Sequence, residues 1–217
     1  MAEPFTFMSA FLWSPEADKQ KQAWQQLIAG MRMAAEAVYP GSKFAWFEGR
    51  VDSAARVPQA LSKLYARARR ELRGNLVIIE ADVVCNKPCD PFEGDFDIGM
   101  CDAKDKWAMM PFNPGTMFLK DTPGAQLFMD RASEYACHVP GNFPAWYAFQ
   151  LAVGYAYMAL KDEVKFKVFP NAEYNHNPDI YAPTDAYFVH LKGNRKQMQR
   201  DYVMPVVEGK RGLLIVP

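Results

Sequence analysis

Apolar positions along the first eighty residues switch between two periods. Phe5 to Trp13, FTFMSAFLW, is an apolar run with β-formers and reads as a buried strand. Ser14-Pro15-Glu16 supplies an N-cap residue followed by proline at the first helical position, so a helix is predicted to begin there. Trp24, Leu27, Ile28, Met31, Ala35 and Val38 recur at helical spacing and predict an amphipathic helix over 16–38. Tyr39-Pro40-Gly41 ends it. Lys43 to Glu48, KFAWFE, reads as a second strand. Val57, Leu61, Leu64, Tyr65, Ala68 and Leu72 mark a second helix, with Pro58 near its start and Gly74 past its end. Leu76 to Ile79 is the third strand.

The second half is less regular. Phe96 to Cys101 and Thr116 to Leu119 read as short strands, as do Val164 to Phe169 and Tyr187 to Leu191. Ala125 to Ala136 and Ala145 to Leu160 read as helices, and the Pro- and Asn-rich segment 170–185 as a loop. With no internal repeat or linker, the chain reads as one domain, 1–217. Long helices between short apolar strands predict an α/β fold with a mostly parallel central sheet flanked by helices. Such sheets bind ligands beyond the carboxyl ends of their strands, and residues 80–86 lie at one such end.

Composition narrows this picture. A chain of 217 residues, half of them hydrophobic, can bury a substantial core. Lys plus Arg equals Asp plus Glu at 25 each, which argues against a general polyanion binder while leaving a local basic patch open. Four cysteines in a chain this long do not make a disulfide framework, so a reducing, cytoplasmic setting is expected. No apolar run approaches a membrane span. MAEPFTFMSAFLW has no basic n-region and no small-residue cleavage site, so it reads as a first strand, not a signal peptide.

The candidate chemistry gathers in NLVIIEADVVCNKP, Asn75 to Pro88. Glu80 and Asp82 follow a buried strand at once. Residues i and i+2 of an extended chain point the same way, and Ala81 between them keeps the turn slim. The two carboxylates can converge on one divalent cation, and oxygen ligands suit Mn²⁺ or Mg²⁺. Taken alone, three such residues read more readily as the acidic, solvated end of a strand.

Other segments change that balance. VIIEADVVCNKP resembles the strand and D-x-D turn of nucleotide-sugar glycosyltransferases of the GT-A fold. FNPGTMFLK, Phe112 to Lys120, resembles their F-N-S-G strand. FPNAEYNHNP, Phe169 to Pro178, resembles a later stretch of the same proteins. VHLKGNRK, Val189 to Lys196, is similar to the closing H-x-x-G-x-x-K motif of the glycogenin-like retaining (family 8 type) transferases. The four pieces occur in order, and the resemblance runs from the first strand to about residue 196. It implies transfer of a hexose from a nucleotide diphosphate sugar, a UDP-sugar by preference. The acceptor would be a glycan, protein or small molecule, with a nucleic acid the weakest choice.

Residue by residue, the resemblance implies that Glu80, Asp82 and His190 ligate the metal and that Gly193 and Lys196 approach the diphosphate. It places Asn113 and Gly115 on the strand facing the sugar. The implied catalytic set is Asp82, Asn113 and Gln150, and the implied nucleotide-binding set is Glu80, Asp82, Gly115, Gly193 and Lys196. Glu80 departs from the family by one methylene. Many relatives carry an Asp-Gln pair at the start of a late helix; in WYAFQLAV, Trp146 to Val153, Gln150 is present but Phe149 replaces the acid. That removes the obvious general base of an inverting enzyme and favours retention. Two alternatives are a nucleotidyltransferase and a non-catalytic nucleotide-sugar or glycan binding protein on a degenerate scaffold. The first lacks a Gly-rich phosphate loop near the first strand; the second is motivated by Glu80 and Phe149.

Several features have a blander and a sharper reading. Asn113-Pro114-Gly115 also fits an ordinary turn. Cys85 and Cys89, near Asp90, could be joined by Cys137 and His138 in a zinc site, but the spacing matches no zinc pattern and buried thiols are preferred. Lys63, Arg67, Arg69, Arg70 and Arg73 read as a solvated helix face or, more sharply, a polyanion contact; Lys210-Arg211 adds little. Trp107, Met109, Met110, Trp146 and Tyr147 fit an acceptor surface, core or a homo-oligomer contact. Base recognition would fall to residues such as Ser9, Ala10, Arg50 and Asp52, and Asp102 and Asp130 have no assigned role.

Overall fold

The computed structural model describes residues 5–15, 21–107, 110–139 and 145–208. The first half runs β1 (Phe5–Trp13), α1 (Lys21–Val38), β2 (Lys43–Arg50), α2 (Val57–Glu71), β3 (Asn75–Ile79) and β4 (Val83–Cys85). The second half runs β5 (Ile98–Trp107), β6 (Met110–Leu119), α3 (Pro123–Ala136), α4 (Ala145–Leu160), β7 (Phe166–Phe169), α5 (Asn171–Tyr174), β8 (Phe188–His190) and α6 (Gln199–Val207). Local chemistry explains several boundaries. Gly41 and Gly74 take positive φ just past α1 and α2. Thr122 caps α3, its side chain accepting from the Ala125 N–H, with Pro123 at the first turn.

Six strands form one sheet in the order β2-β1-β3-β6-β5-β7. β1 runs parallel to both β2 and β3, and β7 runs parallel to β5. β6 alone is reversed, antiparallel to β3 and to β5. The mostly parallel α/β architecture expected from the sequence is thus present, with one strand inverted at its centre. All five residues of β3 are buried, as a central strand covered on both faces requires. Leu76 and Ile78 pack with Tyr65, Phe128 and Phe149 in a core between the sheet and α2, α3 and α4. Val77 and Ile79 point the other way, into a core with Phe7, Met31, Phe118 and Tyr202 under α1 and α6.

Three differences from the sequence reading bear on the site. The short strands read at Phe96–Cys101 and Thr116–Leu119 belong to longer strands, β5 and β6, because CDAKDKW has too few apolar positions to show its pairing. Asn113-Pro114-Gly115 lies inside β6, not in a turn. The register there jumps: Met117 faces Met100, but Asn113 faces Cys101, so Pro114–Thr116 bulges where proline's missing N–H costs no ladder bond. The third difference is a separate two-stranded sheet, β4 antiparallel to β8, which no periodicity announces in three-residue strands.

The other sequence-marked features fall as follows. Arg69 is not on a solvated face: it is 3% exposed and ties the end of α2 to Leu72 O and Asp121. Arg67 and Arg70 are exposed and paired with Glu71 and Asp130. All four cysteines are free; Cys85 and Cys101 are buried and Cys137 is exposed. Met110 is buried and Tyr147 exposed. Met109, Lys210-Arg211 and residues 16–20 of the expected first helix lie outside the described residues. Among the described residues no helix is long and apolar enough to cross a membrane.

Candidate metal centre

The end of β3 builds the site. The Glu80 N–H donates to Gly115 O at 2.9 Å, continuing the pairing with β6 for one more residue. The Val83 N–H then donates to Glu80 O at 3.0 Å and closes a tight turn, with Glu80 and Asp82 at its tip. The same turn is stitched to the far end of the chain. The Leu191 N–H donates to Asp82 O, and Val83 lies opposite His190 in the β4–β8 ladder. His190 is thereby carried over the two acids.

One ligand atom from each of Glu80, Asp82 and His190 lies within 4.8 Å of the others, and no other group of three or more His, Cys, Asp or Glu side chains meets that condition among the described residues. His190 Nε2 stands 3.1 Å from Glu80 Oε2 and 3.3 Å from Asp82 Oδ1. The His190 and Asp82 side chains are 1% and 8% exposed, but Glu80 is 35% exposed, so the cluster opens to solvent on the Glu80 side.

The imidazole is held from behind. His190 Nδ1 is 3.0 Å from the Asn175 amide oxygen, which also accepts from Thr116 Oγ1 at 3.4 Å. With that oxygen as acceptor, Nδ1 carries a proton, and Nε2 is the ring atom that faces the carboxylates. The backbone of the same region is pinned: the His190 N–H donates to His176 O, and the His176 N–H to Phe188 O. Gly115 lies under the ring. A Cβ there would overlap His190 Cε1 and Nδ1 and come within 3.1 Å of Asn175 Oδ1, so this glycine is required by space and not by its φ. Asn113 is buried, and its side-chain oxygen accepts from the Gly115 N–H at 3.2 Å, which holds the bulge.

Positive charge closes the other side. Lys196 Nζ is 2.9 Å from Asp82 Oδ2 and 4.2 Å from the centre of the Trp24 ring on α1. Burial pushes the Asp82 carboxyl up, but His190 and Lys196 outweigh it and hold it well below the usual carboxylate range. Burial likewise opposes protonation of His190, yet Asp82 and Glu80 raise its pKa above the ordinary value. Burial lowers the pKa of Lys192, against the opposing pull of Glu80 and Asp82. Gly193 has φ of +60° and open space where a Cβ would stand. It begins a 3-10 helix, Gly193–Met198, that presents Lys196. An open cleft of about 640 Å³ lies between α1 and this helix, lined by Trp24, Leu27, Gly193, Lys196, Gln199 and Arg200.

The structure therefore brings Glu80, Asp82, His190, Gly115 and Lys196 together, with Asn113 and Gly193 adjoining. Gln150 sits half-buried on α4, and it is not among the residues whose contacts build the site as described above. Its neighbour Phe149 is buried against Tyr65. Three residues of the site have no role assigned to them by the sequence. Trp24 stands at helical spacing and reads as core; Asn175 lies inside FPNAEYNHNP and Lys192 inside VHLKGNRK, segments the resemblance singles out without giving either residue a role.

No protein-family profile and no curated protein matches the sequence. Solved structures do. One is a glycosyltransferase involved in the glycosylation of the major capsid of PBCV-1, with a TM-score of 0.65 and 16% identity over 93% of this chain and 98% of that one. A second is the apo form of the glycosyltransferase GlyE of Streptococcus pneumoniae TIGR4, with a TM-score of 0.58 and 8% identity over 97% of this chain. Another GlyE structure gives a TM-score of 0.56 and 9% identity over 95% of this chain. The chain spans 64% and 63% of the two GlyE chains. At these identities what is shared is the fold. The chain has the mixed α/β fold of these glycosyltransferases, a mostly parallel sheet flanked by helices.

Proposed function

We propose that this protein is a metal-dependent hexosyltransferase, a single domain over 1–217, that takes its sugar from a nucleotide diphosphate donor, UDP by preference. The observation that carries this reading is the convergence of Glu80, Asp82 and His190 within 4.8 Å at the carboxyl end of a central strand, with Lys196 alongside. Two carboxylates and an imidazole whose far nitrogen is already engaged, and which would release its Nε2 proton on binding, are a donor set that fits Mn²⁺ or Mg²⁺. When bound, such a cation supplies Lewis-acid stabilisation of the charge that develops on the departing diphosphate.

The chain's own residues supply the rest. Glu80, Asp82 and His190 hold the cation, and Asn175 fixes the imidazole. Lys196 can exchange Asp82 for a phosphate oxygen, and the open space at Gly193 lets the diphosphate approach the protein backbone. Asn113, Gly115 and Gln150 complete the donor side. Phe149, buried where relatives carry an acid, supports transfer with retention in the manner of the glycogenin-like enzymes. The acceptor is a glycan, a protein or a small molecule. A reducing, cytoplasmic setting is the default for a chain of this length with four cysteines.

Thermal unfolding with UDP or GDP, with and without Mn²⁺, tests this. Stabilisation that requires nucleotide and metal together supports the reading; its absence for every nucleotide sinks it. A second reading, binding without transfer, is favoured by Glu80 and by the buried Phe149. It fails if the purified protein hydrolyses or transfers a UDP-sugar and Asp82→Ala abolishes that activity.

A further inference from the structure

One buried hydroxyl beside the site is left without a partner. Tyr65, on α2, is 1% exposed, and its ring packs at 56° against Phe149 of α4 with centroids 5.5 Å apart. Its oxygen makes no hydrogen bond among the described residues. A buried hydroxyl without a partner is costly, and native proteins rarely leave one. Phenylalanine would fill the same space without that cost, so the oxygen calls for a use the protein alone does not supply.

The surroundings say where that use lies. Tyr65 shares its core with Ile78, and Glu80 follows Ile78 by two residues on the same face of a chain still paired to β6, so α2 covers the side of the strand from which Glu80 projects. Burial and the fields of Glu80 and Asp82 raise the pKa of the phenol, which stays an O–H donor. Glu80 and Asp82 lie at the end of β3, whose Leu76 and Ile78 face the α2–α4 layer together with Tyr65. Lys196 approaches the acids from the opposite layer, against Trp24 of α1. On α2 itself, Arg67, Arg69 and Arg70 are committed to Glu71, Asp121 and Asp130, and Lys63 is exposed. A diphosphate is therefore drawn to the α1 side, and the uncharged part of the same donor is left for the α2–α4 side.

We propose that the Tyr65 hydroxyl hydrogen-bonds a hydroxyl of the transferred sugar, making Tyr65 a residue that selects for the sugar end of the donor. This rests on the transferase reading above. It assigns to α2 a polar contact that neither the strand motif nor the closing H-x-x-G-x-x-K motif contains.

The test is Tyr65→Phe, which removes one oxygen and no packing. Titration calorimetry with Mn²⁺ compares UDP and GDP with a panel of UDP- and GDP-hexoses on both proteins. The expected result is an unfolding temperature unchanged or raised, nucleotide affinity within about twofold of wild type, and nucleotide-hexose affinity lower by about three- to tenfold. Equal losses for nucleotide and nucleotide-hexose overturn the inference, because the hydroxyl would not be reading the sugar. Identical hexose affinities in the two proteins overturn it alone and leave the transferase reading standing. A wild-type protein that binds no nucleotide and no nucleotide-hexose overturns both.

Discussion

The imidazole of His190 rests on the bare α-carbon of Gly115, so closely that a methyl group on that carbon would occupy the space of Cε1 and Nδ1. The two residues come from strands that do not pair with each other, β6 in the large sheet and β8 in the small one. Gly115→Ala is therefore expected to push His190 off the Glu80–Asp82 pair while leaving both sheets in place. Displacing a ligand's support costs metal affinity by about 10- to 100-fold. Mn²⁺ titration of Gly115→Ala against wild type checks this; equal affinities would show that the ring is not a ligand.

Asp82→Asn keeps the shape of the tip and removes the charge that His190 and Lys196 share. In wild type, a metal–nucleotide pair at a hundred times its dissociation constant should add about 2.7 kcal/mol of stability. The variant is expected to lose that increment, with the shift in unfolding temperature on adding Mn²⁺ and UDP falling to that of UDP alone. A full shift in the variant would remove Asp82 from the metal set.

Lys196 stands over the Trp24 ring while it pairs with Asp82, so a diphosphate that attracts the ammonium changes the surroundings of that indole. Adding UDP and Mn²⁺ should alter tryptophan emission, and Trp24→Phe should abolish the change. Lys196→Met should weaken UDP by about tenfold, the scale of one charge-assisted contact at a partly exposed site. An emission change that survives Trp24→Phe would place the nucleotide elsewhere.

The cysteines make a prediction tied to pH. Burial, opposed in part by the Tyr39 hydroxyl 3.4 Å away, raises the Cys89 thiol to about 11. At pH 8 only about one part in a thousand is thiolate. Iodoacetamide at pH 8 should therefore label the exposed Cys137 first, with Cys85, Cys89 and Cys101 following only on unfolding. Because the folded pKa lies above the unfolded one, the stability Cys89 contributes is complete below about 9 and is lost as pH rises through about 11. Mass spectrometry after timed labelling decides between this order and a fast Cys89.

Much of the frame was legible in the chain because β1, β2 and β3 are apolar runs separated by helices with clear start and stop residues. Asp82 and Glu80 were legible as strand-end acids, and His190 and Lys196 through the H-x-x-G-x-x-K resemblance. What escaped was long-range pairing. The inversion of β6 follows from which strand it meets, and nothing in MPFNPGTMFL announces a direction. The β4–β8 ladder joins three-residue strands too short for any period. Asn175 and Trp24 act on the site only through tertiary contact: the FPNAEYNHNP resemblance contains Asn175 without showing that it holds an imidazole, and Trp24 fits a core helix. Gly115 was placed at the site, but the reason that it must be glycine, a ring arriving from another strand, could not be read from its neighbours.

The small ladder has a further consequence. By setting Val83 opposite His190 it closes a loop of about a hundred residues, which holds most of the second half of the fold. An ion held by Glu80, Asp82 and His190 would fasten the two ends of that loop as a cross-link does, and a broken ladder would part the ligands before the large sheet opened. Metal affinity in this protein is thus also a gauge of whether the late strand has docked, and a truncation just before Phe188 should lose the ion while keeping most of the sheet.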